Sequence, residues 1–127
     1  MNEVSSADLV RASSLPTHEA VRLLMVASGL TRSELLRGSP LDTATERTFR
    51  QFEARRLGGE PLQYIEGSAA FGPVELIVDQ RVLIPRPETE EILEMVPQLV
   101  DAPAVIVDLC TGSGNLAVAL ATMYPGA

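Results

Sequence analysis

Residues 108–114 read Asp-Leu-Cys-Thr-Gly-Ser-Gly, set between the apolar run Ala104-Val-Ile-Val107 and a helical run over Leu116–Met123. A strand, an Asp-x-x-x-Gly-x-Gly turn and a helix together bring bare backbone N–H groups at a helix start close to a ligand. That chemistry suits an anionic or carboxylate-bearing cofactor. A phosphate-cradling loop ends in Gly-Lys-Ser/Thr, and the chain contains no Lys. The dinucleotide pattern Gly-x-Gly-x-x-Gly asks for Gly at 117; Ala117 is tolerated there, so a nicotinamide reading stays open. Asp108, four residues before Gly112, fits S-adenosylmethionine better. A tight turn holding no ligand is the third reading of these residues.

Other reactive side chains are few. Cys110 has no second Cys for a disulfide and no ligand at metal spacing, and the single His18 has no Cys nearby, so metal chemistry is not expected. A Cys of this kind normally packs as a small hydrophobe. His18, near a helix start, reads as a surface or capping side chain.

The elements that would position the loop fall into two kinds. Residues 5–57 carry helix punctuation: Ser5 or Ser6 as cap for a helix over Ala7–Ser14, then Pro16-Thr17 opening Thr17–Ser28 with Gly29 as a left-handed stop. Thr31-Arg-Ser-Glu34 is a capping box, and Gly38 ends the helix it starts. A fourth helix is expected from Asp42 or Thr43 to Leu57, stopped by Gly58-Gly59, with Phe49 and Phe52 on one face. The stripe Val21, Leu24, Met25, Leu35, Leu36, Phe49 and Phe52 reads as core.

From Gly58 the pattern turns to strands. Ser68–Phe71 and Val74–Val78 flank Gly72-Pro73, a hairpin signal. Val82–Ile84 reads as a further short strand, and Pro87 suits the first turn of a helix whose positive end the acids of Glu88-Thr-Glu-Glu91 complement. Pro97 and Pro103 bound a connection. Ala104–Val107 reads as a buried parallel strand in need of neighbours.

Composition bounds the function. With 46% hydrophobic and 21% charged residues over 127 positions, the chain belongs with folded globular proteins. No run approaches the roughly 20 apolar residues of a membrane span, and the start MNEVSSADLVRASS is too polar for a signal peptide, so a cytoplasmic address is expected. The net charge of −7 is uneven: residues 1–57 hold eight Arg against seven acids, residues 58–127 two Arg against ten. An acidic chain with five aromatic residues is a poor match for a phosphate backbone, and direct nucleic-acid binding is not expected.

Taken in order, Gly59-Glu-Pro-Leu-Gln-Tyr-Ile-Glu-Gly67, Phe71-Gly72, Val82-Leu-Ile-Pro-Arg-Pro-Glu-Thr-Glu90 and Val107-Asp-Leu-Cys-Thr-Gly-Ser-Gly114 resemble the HemK-like release-factor glutamine methyltransferases. The Ile-Pro-Arg-Pro-Glu-Thr-Glu stretch is the specific part; related ribosomal-protein glutamine methyltransferases typically carry Arg-Ser-Pro in place of Arg-Pro-Glu. The resemblance implies a mainly α N-terminal bundle (1–57, substrate docking), a β-hairpin linker (58–87) and the start of an α/β Rossmann-like class I methyltransferase domain (88–127). It implies S-adenosylmethionine as cofactor, with Asp108, Cys110, Thr111, Gly112, Ser113 and Gly114 as the cofactor loop. The family's first loop Gly is Cys110 here. Arg86 and Thr89 are read equally as pocket residues and as parts of a helix start.

The reaction implied is methyl transfer to the side-chain amide nitrogen of the glutamine in the Gly-Gly-Gln motif of peptide chain release factors. The family's Asn-Pro-Pro-Tyr, which holds that amide, does not occur in these residues, nor does the ribose-binding acid expected about 20 positions past the glycines. No catalytic residue is carried over, and the chain alone is expected to be inactive. Two readings remain: part of an intact methyltransferase, or a non-catalytic module docking a release factor or other partner. The unpaired strand Ala104–Leu109 also raises self-association as an expectation.

Overall fold

The computed structural model describes residues 4–127, which divide into two compact units, the first running to Glu66 and the second from Gly67 to Ala127. The first is helical. Its elements are β1 (Val4–Ser5), α1 (Ser6–Arg11), α2 (Thr17–Ser28), α3 (Arg32–Leu36), β2 (Pro40–Leu41), α4 (Thr43–Leu57) and α5 (Leu62–Glu66). β1 and β2 pair antiparallel, Val4 opposite Leu41 and Ser5 opposite Pro40.

The helix boundaries follow their capping chemistry. α2 stops at Gly29, whose φ of 71° is left-handed and whose N–H donates to the Met25 carbonyl. The box at α3 closes both ways: the Glu34 N–H donates to Thr31 Oγ1 at 3.4 Å and the Thr31 N–H to Glu34 Oε2 at 2.8 Å. Asp42 caps α4 by accepting from the Thr45 N–H at 2.7 Å. At α1 the expected cap is not made by a side chain: Ser5 forms no capping bond, and the buried Ser6 hydroxyl donates to the Leu35 carbonyl at 2.7 Å. Serine at a helix start thus serves here as a tie between α1 and α3.

Leu9, Val10, Leu15, Ala20, Val21, Leu23, Leu24, Leu35, Leu41, Phe49, Leu62 and Ile65 form the core of this unit, with Met25 and Phe52 packed at its margin. Of the expected stripe only Leu36 departs, at 53% exposed, because α3 is a little over one turn long and offers a single inward position, taken by Leu35. Two-pronged ion pairs join distant segments: Arg56 to Glu19 at 2.7 Å through Nε and Nη2, and Arg22 to Glu66 at 2.7 and 2.6 Å.

The second unit begins with the hairpin of β3 (Ser68–Phe71) and β4 (Val74–Ile77), registered so that Phe71 faces Val74 across a two-residue loop. Gly72 has a φ of 53°, and a Gly at the first of two loop positions is what a type II′ turn requires. α6 (Pro87–Leu99) and α7 (Asn115–Met123) complete the unit. Phe71, Leu93, Ala119 and Leu120 are its buried cluster, with Val74, Leu76, Val96 and Ile106 packed against it.

Three local expectations change. Val82–Ile84 is not a strand: the Val82 N–H donates to the Asp79 carbonyl at 3.1 Å, closing a turn, and Arg81 grips the Asp79 carboxylate and holds it down at a pKa of about 2. Pro97 does not bound a connection but lies inside α6, two residues from its end, where a missing N–H removes a single helix bond. Ala104–Val107 has no strand assignment, because among the described residues no segment pairs with it, and a strand exists only through a ladder of such bonds.

The candidate cofactor loop

Residues 105–109 alternate in exposure. Val105, Val107 and Leu109 stand 76%, 72% and 83% exposed, while Ile106 packs on the core and Asp108 is half-buried. The period of two is that of an extended chain, and it sets Ile106 and Asp108 on one side. α7 starts directly after the loop, its first turn closed by the Val118 N–H donating to the Gly114 carbonyl at 2.9 Å.

Between these ends the backbone visits the left-handed region three times, at Cys110 (φ 61°), Gly112 (58°) and Gly114 (81°). A Cβ added at Gly112 would meet nothing within 4 Å, and one at Gly114 only Thr111 Oγ1 at 3.9 Å. The need for glycine is therefore conformational within the chain itself, and the space above Gly112 is open. Cys110 is a non-glycine residue carrying a backbone that L side chains adopt at a cost of about 1–2 kcal/mol. A glycine at that position would carry no such cost.

Thr111 Oγ1 donates to Asp108 Oδ2 at 2.8 Å, and the Gly114 N–H donates to the Thr111 carbonyl at 2.9 Å. Of the six residues expected here, Asp108, Thr111 and Gly114 are thus bonded to one another. Cys110, Gly112 and Ser113 lie exposed on the arc between them. A cavity of about 140 Å³ adjoins the loop, lined by Ile106, Asp108, Ala117, Ala121, Tyr124 and Ala127. Tyr124 was absent from the sequence-based site; it follows α7 by one position and donates its hydroxyl to the Val100 carbonyl at 3.2 Å.

Arg86 and Thr89 belong to the start of α6. Arg86 holds the N-cap position with Pro87 next, and the Thr89 N–H donates to the Arg86 carbonyl at 3.0 Å. Among the described residues neither bonds to the 108–114 loop. Glu90, from the same stretch, reaches the hairpin instead, accepting from the Gly72 N–H at 3.3 Å.

Residues 5–67 match the model of the PrmC N-terminal domain. Nearly the whole chain aligns with proteins named release factor glutamine methyltransferase. The chain belongs to that family. The relative from Mycolicibacterium smegmatis is 42% identical over 98% of this chain and 45% of its own length. The one from Burkholderia pseudomallei is 39% identical over 97% of this chain and 45% of its own. The Mycobacterium leprae relative is 48% identical over 86% of this chain and 38% of its own. The chain therefore spans about half the length of the curated relatives it matches. Among the described residues no helix is long and apolar enough to cross a membrane.

Proposed function

We propose that these residues are part of a cytoplasmic, S-adenosylmethionine-dependent enzyme that methylates the glutamine amide of the Gly-Gly-Gln motif in peptide chain release factors. The first unit is assigned to docking the release factor. The second is assigned as the beginning of a Rossmann-like methyltransferase domain, with Asp108, Cys110, Thr111, Gly112, Ser113 and Gly114 as its cofactor loop. The observation that carries this reading is the glycine arc of residues 110–114, opening on free space at the N-terminus of α7, in a chain of the methyltransferase family.

The residues suit the cofactor. A helix start with left-handed glycines offers backbone N–H groups to a carboxylate, as the methionine end of S-adenosylmethionine presents. The cofactor supplies a methyl group activated on a sulfonium centre. An amide nitrogen is a weak nucleophile because its lone pair is delocalised, so this chain's share of the work is to hold the donor rigidly. Asp108, fixed by Thr111, and the Gly112–Gly114 backbone do so. Catalysis itself is assigned to the intact enzyme, since Asn-Pro-Pro-Tyr does not occur in these residues.

Calorimetry with S-adenosylmethionine and, separately, with a release factor tests the assignment. Heat from both, with the cofactor signal lost in Gly112→Val, is the expected result. Release-factor binding without any cofactor signal would replace it with the non-catalytic docking module, and the absence of both would remove it.

A further inference from the structure

The cofactor assignment above names Thr111 as one contact among six; its hydrogen bonds give it a different task. A threonine hydroxyl has a single hydrogen to donate. In this loop that hydrogen goes to Asp108 Oδ2 at 2.8 Å, so it is not available to a ligand while the bond lasts. The backbone of the same residue works in the opposite direction along the chain, its carbonyl accepting from the Gly114 N–H at 2.9 Å. Thr111 is thereby joined to the residue that enters the loop and to the residue from which α7 starts. Two of the three left-handed positions, Cys110 and Gly112, flank it directly.

We propose that Thr111 is a positioning residue, its side chain acting through Asp108 to hold the 108–114 arc in its cofactor-ready shape. This rests on the cofactor reading and deepens it. A bond from a neutral hydroxyl to a carboxylate is among the stronger ones a side chain makes, and this one spans only three residues, so little chain entropy opposes it. Losing it leaves the carboxylate free to rotate and removes one of the two ties across the arc. The backbone tie survives any substitution at 111.

The test uses Thr111→Val, which keeps the branched shape without the hydroxyl, and Thr111→Ser, which keeps the hydroxyl without the branch. On the 127-residue chain, Thr111→Val is expected to weaken S-adenosylmethionine binding about tenfold by calorimetry, while Thr111→Ser stays within about twofold of the parent. Amide exchange followed by NMR gives a readout that needs no cofactor: Gly112, Ser113 and Gly114 should exchange about tenfold faster in Thr111→Val alone. Parent-like binding by Thr111→Val, or equal damage from Thr111→Ser, overturns the proposal. If the parent chain binds no cofactor, the cofactor reading fails by itself. Thr111 is then judged on exchange, and unchanged exchange in Thr111→Val overturns its role as the brace.

Discussion

A buried carboxylate endures only when its lone pairs are occupied, and Glu53 on α4 meets that condition. It is 7% exposed; Oε1 accepts from the Ser13 hydroxyl at 2.6 Å and the Ser14 N–H at 2.8 Å, and Oε2 from Arg50 Nη1 at 2.8 Å. Burial pushes its pKa up, and the bonds from Ser13, Arg50 and the Ser14 backbone outweigh that, holding the group below its ordinary value of 4.5. A pKa lower in the folded chain than in the unfolded one gives stability that is fully present above about pH 4.5 and is lost as pH falls through the folded value. Glu53→Gln is expected to cost about 1–3 kcal/mol at neutral pH and to flatten that acid limb, as read by denaturant unfolding across a pH series. An acid limb of unchanged slope in Glu53→Gln would shift the effect to Glu19, which Arg56 also holds low. Sequence could not single out Glu53. An acid on a helix normally faces water, and two of its three partners, Ser13 and Ser14, come from a turn some 40 positions earlier.

At the scale of elements, local chemistry was the better guide wherever it closes on itself. Gly29 after α2, the Thr31–Glu34 box and the Asp42 cap all act within four residues, and those helices lie where the residues indicate. The hairpin is likewise local, but its seat is not. A Cβ at Gly72 would fall well inside van der Waals contact with Leu93 Cδ1, and Leu93 is buried. Gly72→Ala therefore has two faults, a left-handed φ and a collision. It is expected to lower stability by about 1–3 kcal/mol, and Gly72→Ala/Leu93→Ala to cost less than the sum of its two single variants, because the smaller side chain relieves the collision while leaving its own cavity. Thermal unfolding of the three variants measures this; strict additivity would leave the turn conformation as the whole cost. The segments misread from sequence share one property: Val82–Ile84 and Ala104–Val107 are apolar and extended in character, and strand formation depends on a partner that composition does not supply.

For the molecule as a whole, the twelve-residue core of the first unit draws on α1 through α5 and on β2. Its ion pairs Arg56–Glu19 and Arg22–Glu66 both close within residues 1–66. Residues 1–66 expressed alone are expected to give a helical circular-dichroism spectrum and a cooperative thermal transition; a gradual, non-cooperative melt would show that the unit depends on residues beyond 66. The smaller cluster at Phe71, Leu93, Ala119 and Leu120 leaves Val105, Val107 and Leu109 exposed, so the second unit is the less self-sufficient of the two.

By itself the sequence determined the helical character of the first unit, the hairpin and the order of motifs that marks the family, because caps, turns and glycine spacings act over a few residues. The tertiary structure decided which polar groups meet: Ser6 with Leu35, Ser13 with Glu53, Gly72 with Glu90. It also decided that, among the described residues, 104–109 is unpaired, and that the loop's glycines answer a left-handed backbone and not a steric neighbour. Those outcomes turn on partners distant along the chain and on torsion angles, and neither is written in residue types alone.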